Sequence, residues 1–263
     1  MTIVEALIKR GRTCSAIIVG GAFLAVGSCW AADPLPKGIY VQGIGGLSEA
    51  MSAMVMDNNP MFQILDGNQV GNVPGSLNKI IGTPFAGVGA GVGLTRYLRV
   101  GGAFMYHTGF DLHDHDQHFA TGTGGTPLDF GSTTAFDGQI HARSYTGDAA
   151  YYFPAGSLHP YINGGAGLAT VITDRAQVQY NGVSTSIIGQ SQNNRTYHIG
   201  GGISVAAGSH AAIDLGYQYT DLGNIKYPAQ TFIGNFGPQQ LSGFTGRLKT
   251  NEFIASVRFH FGK

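Results

Sequence analysis

From Gly38 to the C-terminus, apolar residues recur at every second position in eight separate stretches, the period of a half-buried β-strand. The clearest is the last, NEFIASVRFHF, where Phe253, Ala255, Val257, Phe259 and Phe261 share one face and Glu252, Ser256, Arg258 and His260 the other. Pro84 to Leu94 sets Ala86, Val88, Ala90, Val92 and Leu94 against Gly87, Gly89, Gly91 and Gly93. Leu98 to Thr108 sets Leu98, Val100, Phe104 and Tyr106 against Arg99, Ala103, Met105 and His107. In Gln139 to Phe153, Tyr145, Ala149, Tyr151 and Phe153 oppose Ser144, Thr146, Asp148 and Tyr152. Ala211 to Thr220 sets Ile213, Leu215, Tyr217 and Tyr219 against Asp214, Gly216, Gln218 and Thr220. Shorter or weaker patterns predict strands at Gly38 to Gly45 (Ile39 and Val41 apolar), His159 to Val171 and Asn194 to Ala206. Most approach the roughly 9 to 11 residues that a tilted strand needs to cross a bilayer's hydrocarbon layer.

Connection length carries the architecture. Short links at Thr95 to Tyr97, Pro154 to Leu158 and Ala207 to His210 alternate with long ones. The long links fall at Gly46 to Thr83, Gly109 to Gly138, Ile172 to Asn193 and Asp221 to Arg247. Short periplasmic turns alternating with longer extracellular loops are the anatomy of a transmembrane barrel with an even number of strands. The expected fold is therefore all-β, an eight-stranded antiparallel up-and-down transmembrane β-barrel.

Composition decides which way the apolar faces point. Charged residues are 11% of the chain, against about 25% in soluble domains. Glycine numbers 42 of 263, more than twice the usual share of about 7%. A soluble ligand-carrying barrel, with its apolar faces inward, would show water many glycines and scarcely any Lys or Glu. With the apolar faces toward lipid, Arg99, Asp148, Asp214, Glu252 and Arg258 point into the lumen instead. There opposite charges can pair into a plug, since eight strands leave room for little more than side chains. Tyr97, Tyr151, Phe153, Tyr161, Tyr219, Phe259 and Phe261 then fall near strand ends, where aromatic girdles belong.

The first residues read as a targeting segment. Lys9, Arg10 and Arg12 precede an apolar run from Ala16 to Val26, and Cys29-Trp30-Ala31 offers small residues at a cleavage site. Cleavage after Ala31 makes residues 1–31 a signal peptide and 32–263 a single barrel domain. Val26-Gly27-Ser28-Cys29 is the competing lipoprotein signal, in which Cys29 is acylated. Both cysteines, Cys14 and Cys29, lie in this segment, so cleavage after Ala31 leaves no disulfide framework. Losing Lys9, Arg10, Arg12 and Glu5 leaves 12 basic and 14 acidic side chains, a net charge of −2. That balance gives no basic patch for nucleic acid.

Three stretches, HPYINGGAGLAT (His159 to Thr170), AAIDLGYQYTDLG (Ala211 to Gly223) and EFIASVRFHF (Glu252 to Phe261), carry a family likeness. The chain resembles the small outer-membrane β-barrel superfamily of opacity-type surface antigens and OmpA-like transmembrane domains. The resemblance implies residence in the outer membrane of a Gram-negative bacterium, with outer-membrane lipid and the barrel-assembly machinery as partners. In the family the last strand usually ends on an aromatic; here Gly262 and Lys263 follow Phe261. The resemblance lies in the barrel stretches alone, so the OmpA-like wall-anchoring role is not expected to carry over.

Candidate chemistry is sparse. HTGFDLHDHDQH gathers His107, Asp111, His113, Asp114, His115, Asp116 and His118, imidazoles and carboxylates of the kind that hold Zn²⁺, Cu²⁺ or Ni²⁺. Read as a surface loop it has no ribbon spacing, and a solvated loop whose polar residues keep it hydrated is the expectation. Met51, Met54, Met56 and Met61 suit Cu(I), but adaptable packing over the barrel mouth explains them more simply. His107-Thr108 beside Asp111 is the local candidate for a base and nucleophile, without a recognisable motif around it. No catalytic, cofactor or metal residue is assigned. The functional expectation is a structural or adhesive surface barrel whose loops meet host or cell-surface ligands. A small-solute channel, or a membrane-embedded hydrolase, is the alternative.

Overall fold

The computed structural model describes residues 17–19, 22–24, 37–51, 56–57, 82–117, 120–121, 127–128, 133–154, 158–180, 183–234, 237–241 and 244–261. Eight long strands form the body: β1 (Gly38–Met51), β2 (Thr83–Gly93), β3 (Leu98–Gln117), β4 (Thr133–Tyr152), β5 (Leu158–Thr173), β6 (Ser191–Ala206), β7 (Ala211–Tyr227) and β8 (Phe244–Phe261). Each pairs antiparallel with its neighbour in sequence. β8 pairs with β1 through Phe261↔Ile39 to Lys249↔Met51, which closes the barrel.

Register fixes its shape. Following the pairs from Ile39 through Val92, Val100, Ala149, Gly164, Ile199, Tyr219 and Asn251 returns to β1 at Glu49, ten residues higher. That stagger, over eight strands at normal spacing, tilts the strands by about 40°.

The apolar faces point outward. Ile199 is 66% exposed and Leu168 and Val88 63%, values that belong to a surface meant for lipid and that rule out the inverted, soluble barrel. Along β8 the outward row runs Phe261, Phe259, Val257, Ala255 and Phe253, then meets Asn251 and Lys249. On β4 the band gives way to Arg143 above Tyr145, and on β6 to Arg195 above Tyr197. Roughly ten residues per strand at this tilt span about 25 Å, the height of the apolar band in such barrels. Tyr97, Tyr151 and Phe153 mark the short-turn rim, with Tyr97 and Tyr151 rings 6.4 Å apart. Tyr197 and Tyr219, 6.3 Å apart, mark the other rim.

The two described short turns are locally specified. Thr95 Oγ1 accepts from the backbone N–H groups of Tyr97 (3.1 Å) and Leu98 (2.9 Å), holding the β2–β3 turn. Gly208 adopts φ +102° in the β6–β7 turn, a conformation that favours glycine.

The strands run further than the alternation predicts, at the long-loop end in every case but Leu158, which β5 adds at the short-turn end. The stretch Gly109 to Gln117, expected as loop, is strand, paired from Phe110 to Gln117 with Ile140 to Thr133 of β4 after a register shift beyond His107. A hairpin, Ala176–Tyr180 with Val183–Ile187, adds to the outer edge of β4. A second, Gln230–Gly234 with Gly237–Leu241, stands between β7 and β8. In the expected leader, Ile17–Val19 pairs with Ala22–Leu24; Cys29, the Ala31 cleavage point and residues 262–263 lie outside the described residues.

Candidate functional site

Three layers of inward side chains fill the lumen. Nearest the short turns, Arg258 Nη2 pairs with Asp214, and its Nη1 donates to Tyr152 Oη at 2.7 Å. Ser256 Oγ donates to the second Asp214 oxygen at 3.0 Å. Asp148 faces His198 Nε2 at 3.4 Å. The Arg99 guanidinium makes no hydrogen bond among the described residues, although the residue is 2% exposed. Its guanidinium lies 4.6 Å from the centre of the Tyr152 ring and 5.9 Å from that of Tyr40, cation–π distances. These residues line a cavity of about 90 Å³, large enough for several waters.

Glycines make room for this layer. A Cβ on Gly101 would sit 2.6 Å from Tyr40 Oη and 2.6 Å from the Ala90 carbonyl. Tyr40 therefore lies over bare backbone, and the glycine face of β2 and β3 is the seat of an inward aromatic ring.

Above it, Glu252 is fully buried and saturated with donors. Its Oε1 accepts from His107 Nε2 (2.8 Å), Thr250 Oγ1 (2.9 Å) and Ser48 Oγ (3.4 Å). Its Oε2 accepts from Gln218 Nε2 (2.7 Å) and Thr220 Oγ1 (3.0 Å). An ionised carboxylate only accepts, so His107 carries its proton on Nε2 in this pair. The sequence phase places His107 and Glu252 in the lumen, but 145 residues separate them and only the closed register sets them at one height.

The third layer is apolar. Phe110, Ile140, Val171, Leu222, Ile225 and Leu248 form one buried cluster with Ala142, Ala169, Tyr227 and, from the first hairpin, Ala176 and Ile187. Strands on opposite sides of the barrel contribute, so the cluster crosses the lumen at its outer end. Burial there pushes the Tyr227 phenol well above its ordinary range. Just outside the wall, Asp221 accepts from Arg247 Nε at 3.1 Å and from the Gly223 N–H at 3.0 Å. That hydrogen bond holds the Arg247 guanidinium above its usual range.

The residues read as candidates from sequence separate. Of the five lumen charges, Arg258 and Asp214 pair with each other, Glu252 and Asp148 take histidines, and Arg99 takes aromatic faces. His107, Thr108 and Asp111 do not meet: successive residues of a strand face opposite ways. His107 is in the lumen. Thr108 is on the exterior, donating to Pro84 O at 3.0 Å, and Asp111 accepts from Gln139 Nε2 at 2.7 Å. Met51 ends β1 and Met56 pairs with Thr245 of β8; Met54, Met61 and His118 lie outside the described residues.

A family model described as outer membrane protein β-barrel domain matches residues 22–261. No curated protein matches the sequence. Among solved structures, OprG from Pseudomonas aeruginosa is similar at 14% identity and a TM-score of 0.48, over 87% of this chain and 99% of its own. Neisserial surface protein A is similar at 16% identity and a TM-score of 0.45, over 85% of this chain and 97% of its own. The outer membrane protease OmpT from Escherichia coli is similar at 8% identity and a TM-score of 0.46, over 88% of this chain and 100% of its own.

Proposed function

Because the chain belongs to the outer membrane β-barrel family and so resides in the outer membrane, we propose that it is a non-enzymatic surface-display protein, working through the structure that stands beyond its outer lipid rim. The observation that carries this reading is the apolar cluster across the outer lumen, backed by the saturated Glu252 network. A solute crossing the barrel would have to part side chains whose burial is worth about 1.5–3 kcal/mol each, then displace charge-assisted hydrogen bonds. The extended ends of β3 and β4 and the two hairpins, by contrast, carry the chain beyond the sealed lumen on a closed barrel, and segments set on such a scaffold are where recognition usually resides.

The experiment is a pair of measurements on the refolded chain. Planar-bilayer recordings should show no stepwise conductance. Cells displaying the protein should bind host cells or extracellular ligands, and shortening the Ala176–Ile187 and Gln230–Leu241 hairpins should abolish that binding while the barrel keeps its heat-dependent gel mobility. Steady single-channel steps, with binding indifferent to the hairpins, would replace this reading with a channel.

A further inference from the structure

The lumen layer nearest the short turns holds one more cation than its carboxylates engage. Arg258 Nη2 pairs with Asp214, whose second oxygen accepts from Ser256 Oγ at 3.0 Å. Asp148 faces His198 Nε2 at 3.4 Å, and as an imidazolium His198 balances that carboxylate. Arg99 is left over. It is 2% exposed, and its Nε, Nη1 and Nη2 have no hydrogen-bond partner among the described residues. A guanidinium carries five N–H donors and stays charged, and burying a charge without a counter-charge is strongly disfavoured. The Tyr152 and Tyr40 rings, 4.6 and 5.9 Å from its central carbon, attract the cation through their π faces. They bring no net negative charge.

Arg99 also lines the cavity of about 90 Å³, which has room for a halide ion and part of its hydration. On the same wall stand the amide groups of Gln42 and Asn163 and the hydroxyl of Tyr161, all able to donate. His198 borders the cavity too, and its Nδ1 has no partner; in the imidazolium that nitrogen is a donor. A charged donor with nothing to receive its protons, set among neutral donors, is the chemistry of an anion site. Water can accept from Arg99, but it leaves the charge uncompensated. Asp148 and Asp214 border the cavity as well, so they confine an anion to the Arg99 side. His260, one inward position nearer the short turns than Arg258 on β8, leaves both ring nitrogens without a partner. Unmatched polar groups thus continue toward the inner mouth.

We propose that this inner lumen cavity binds one small monovalent anion of the halide class, with the Arg99 guanidinium as its charged donor. The anion enters from the short-turn side and goes no further, because the Glu252 network and the apolar cluster stand beyond it. The site goes beyond the display reading and stands whether or not the outer segments bind a partner.

The test follows the NMR line width of chloride with the mature chain refolded in detergent, in mildly acidic buffer where an imidazole is ionised. Chloride exchanging with a protein site gives a broadened resonance, and added bromide should compete that broadening away. Arg99→Met should weaken the binding about tenfold or more, the loss expected for a charge-assisted donor. Arg143→Met, which removes an exposed cation from the barrel exterior, should leave it unchanged. Heat-dependent gel mobility reports that the barrel of each variant is intact. Crystals of the unmutated chain grown in sodium bromide should show an anomalous-scattering peak within hydrogen-bonding distance of the Arg99 guanidinium, a readout that needs no variant to fold. Broadening equal in Arg99→Met and the unmutated chain, or a cavity that holds only water in the bromide-grown crystals, overturns the proposal.

Discussion

Single residues inside this barrel are decided by whether their polar atoms are matched. Arg258 and Arg99 are both cations buried near Tyr40 and Tyr152, yet only Arg258 holds a carboxylate. Arg258→Met strands Asp214 in the lumen, and stranding a buried charge costs about 3–5 kcal/mol. Arg99→Met removes a cation that has no ion-pair partner within hydrogen-bonding distance and keeps most of its packing, so its cost should stay under about 1 kcal/mol. Urea midpoints of the folded, heat-shiftable band compare the two; equal losses would mean that Arg99 supports Asp214 as strongly as Arg258 does. Gly101→Ala tests the other residue rule. Its Cβ would meet both the Tyr40 phenol and the Ala90 carbonyl at 2.6 Å, and overpacking of this kind costs about 1–3 kcal/mol. The same urea series should show that loss, and restoring space with Tyr40→Phe should recover part of it. Both the direction of these residues and their contrast in face were legible in the alternation; the partners were not, because a lumen contact depends on the height at which distant strands meet.

At the scale of elements, the strands were legible only where lipid touches them. Within the band one face must be apolar, and Phe253 to Phe261 or Ala86 to Leu94 declare themselves by period two. Above it both faces meet water or protein, and the signal disappears: Asp111 to Gln117 is polar at almost every position and reads as loop, although it continues β3. The same holds for Phe244 to Thr250 of β8 and for Asp221 to Tyr227 of β7, where the register shift between Asp221 and Gly223 breaks the count. Extra strand length should then be separable from the barrel's stability. Deleting the Ala176–Ile187 hairpin and joining its ends with a short turn removes pairs to β4 at Gln177 to Gln179 and two cluster residues, Ala176 and Ile187. The eight-strand closure is untouched. Heat-shiftable barrel should form in the same yield, with an unfolding free energy from urea titration lowered by no more than about 2–4 kcal/mol, the loss expected for one large and one small core side chain. A chain that no longer closes would show that the ribbon helps nucleate the barrel.

For the molecule as a whole, the order of the layers matters more than the width of the wall. An eight-stranded barrel barely holds its own side chains, and this one arranges them by polarity. A charged, partly hollow layer lies toward the short turns, a saturated carboxylate sits above it, and an apolar seal closes the outer end. Solvent reaching the cavity from the short-turn side would stop at Glu252 and meet the seal beyond it. The seal is thus the part whose removal should change transport, and its members are far from the lipid face. Replacing Phe110, Leu222 and Leu248 together by alanine opens volume at the outer end while leaving the outward rows intact. The triple variant should lose several kcal/mol of stability, since large-to-small core changes cost about 2–5 kcal/mol each. It should also acquire brief, small conductance steps in planar bilayers, against the silence expected of the unmutated chain. If the variant stays silent, the Glu252 layer is a sufficient barrier alone, and adding Glu252→Ala to the triple should then open the path. Silence in both would place the barrier lower still, at the Arg258–Asp214 pair and the tyrosines around it.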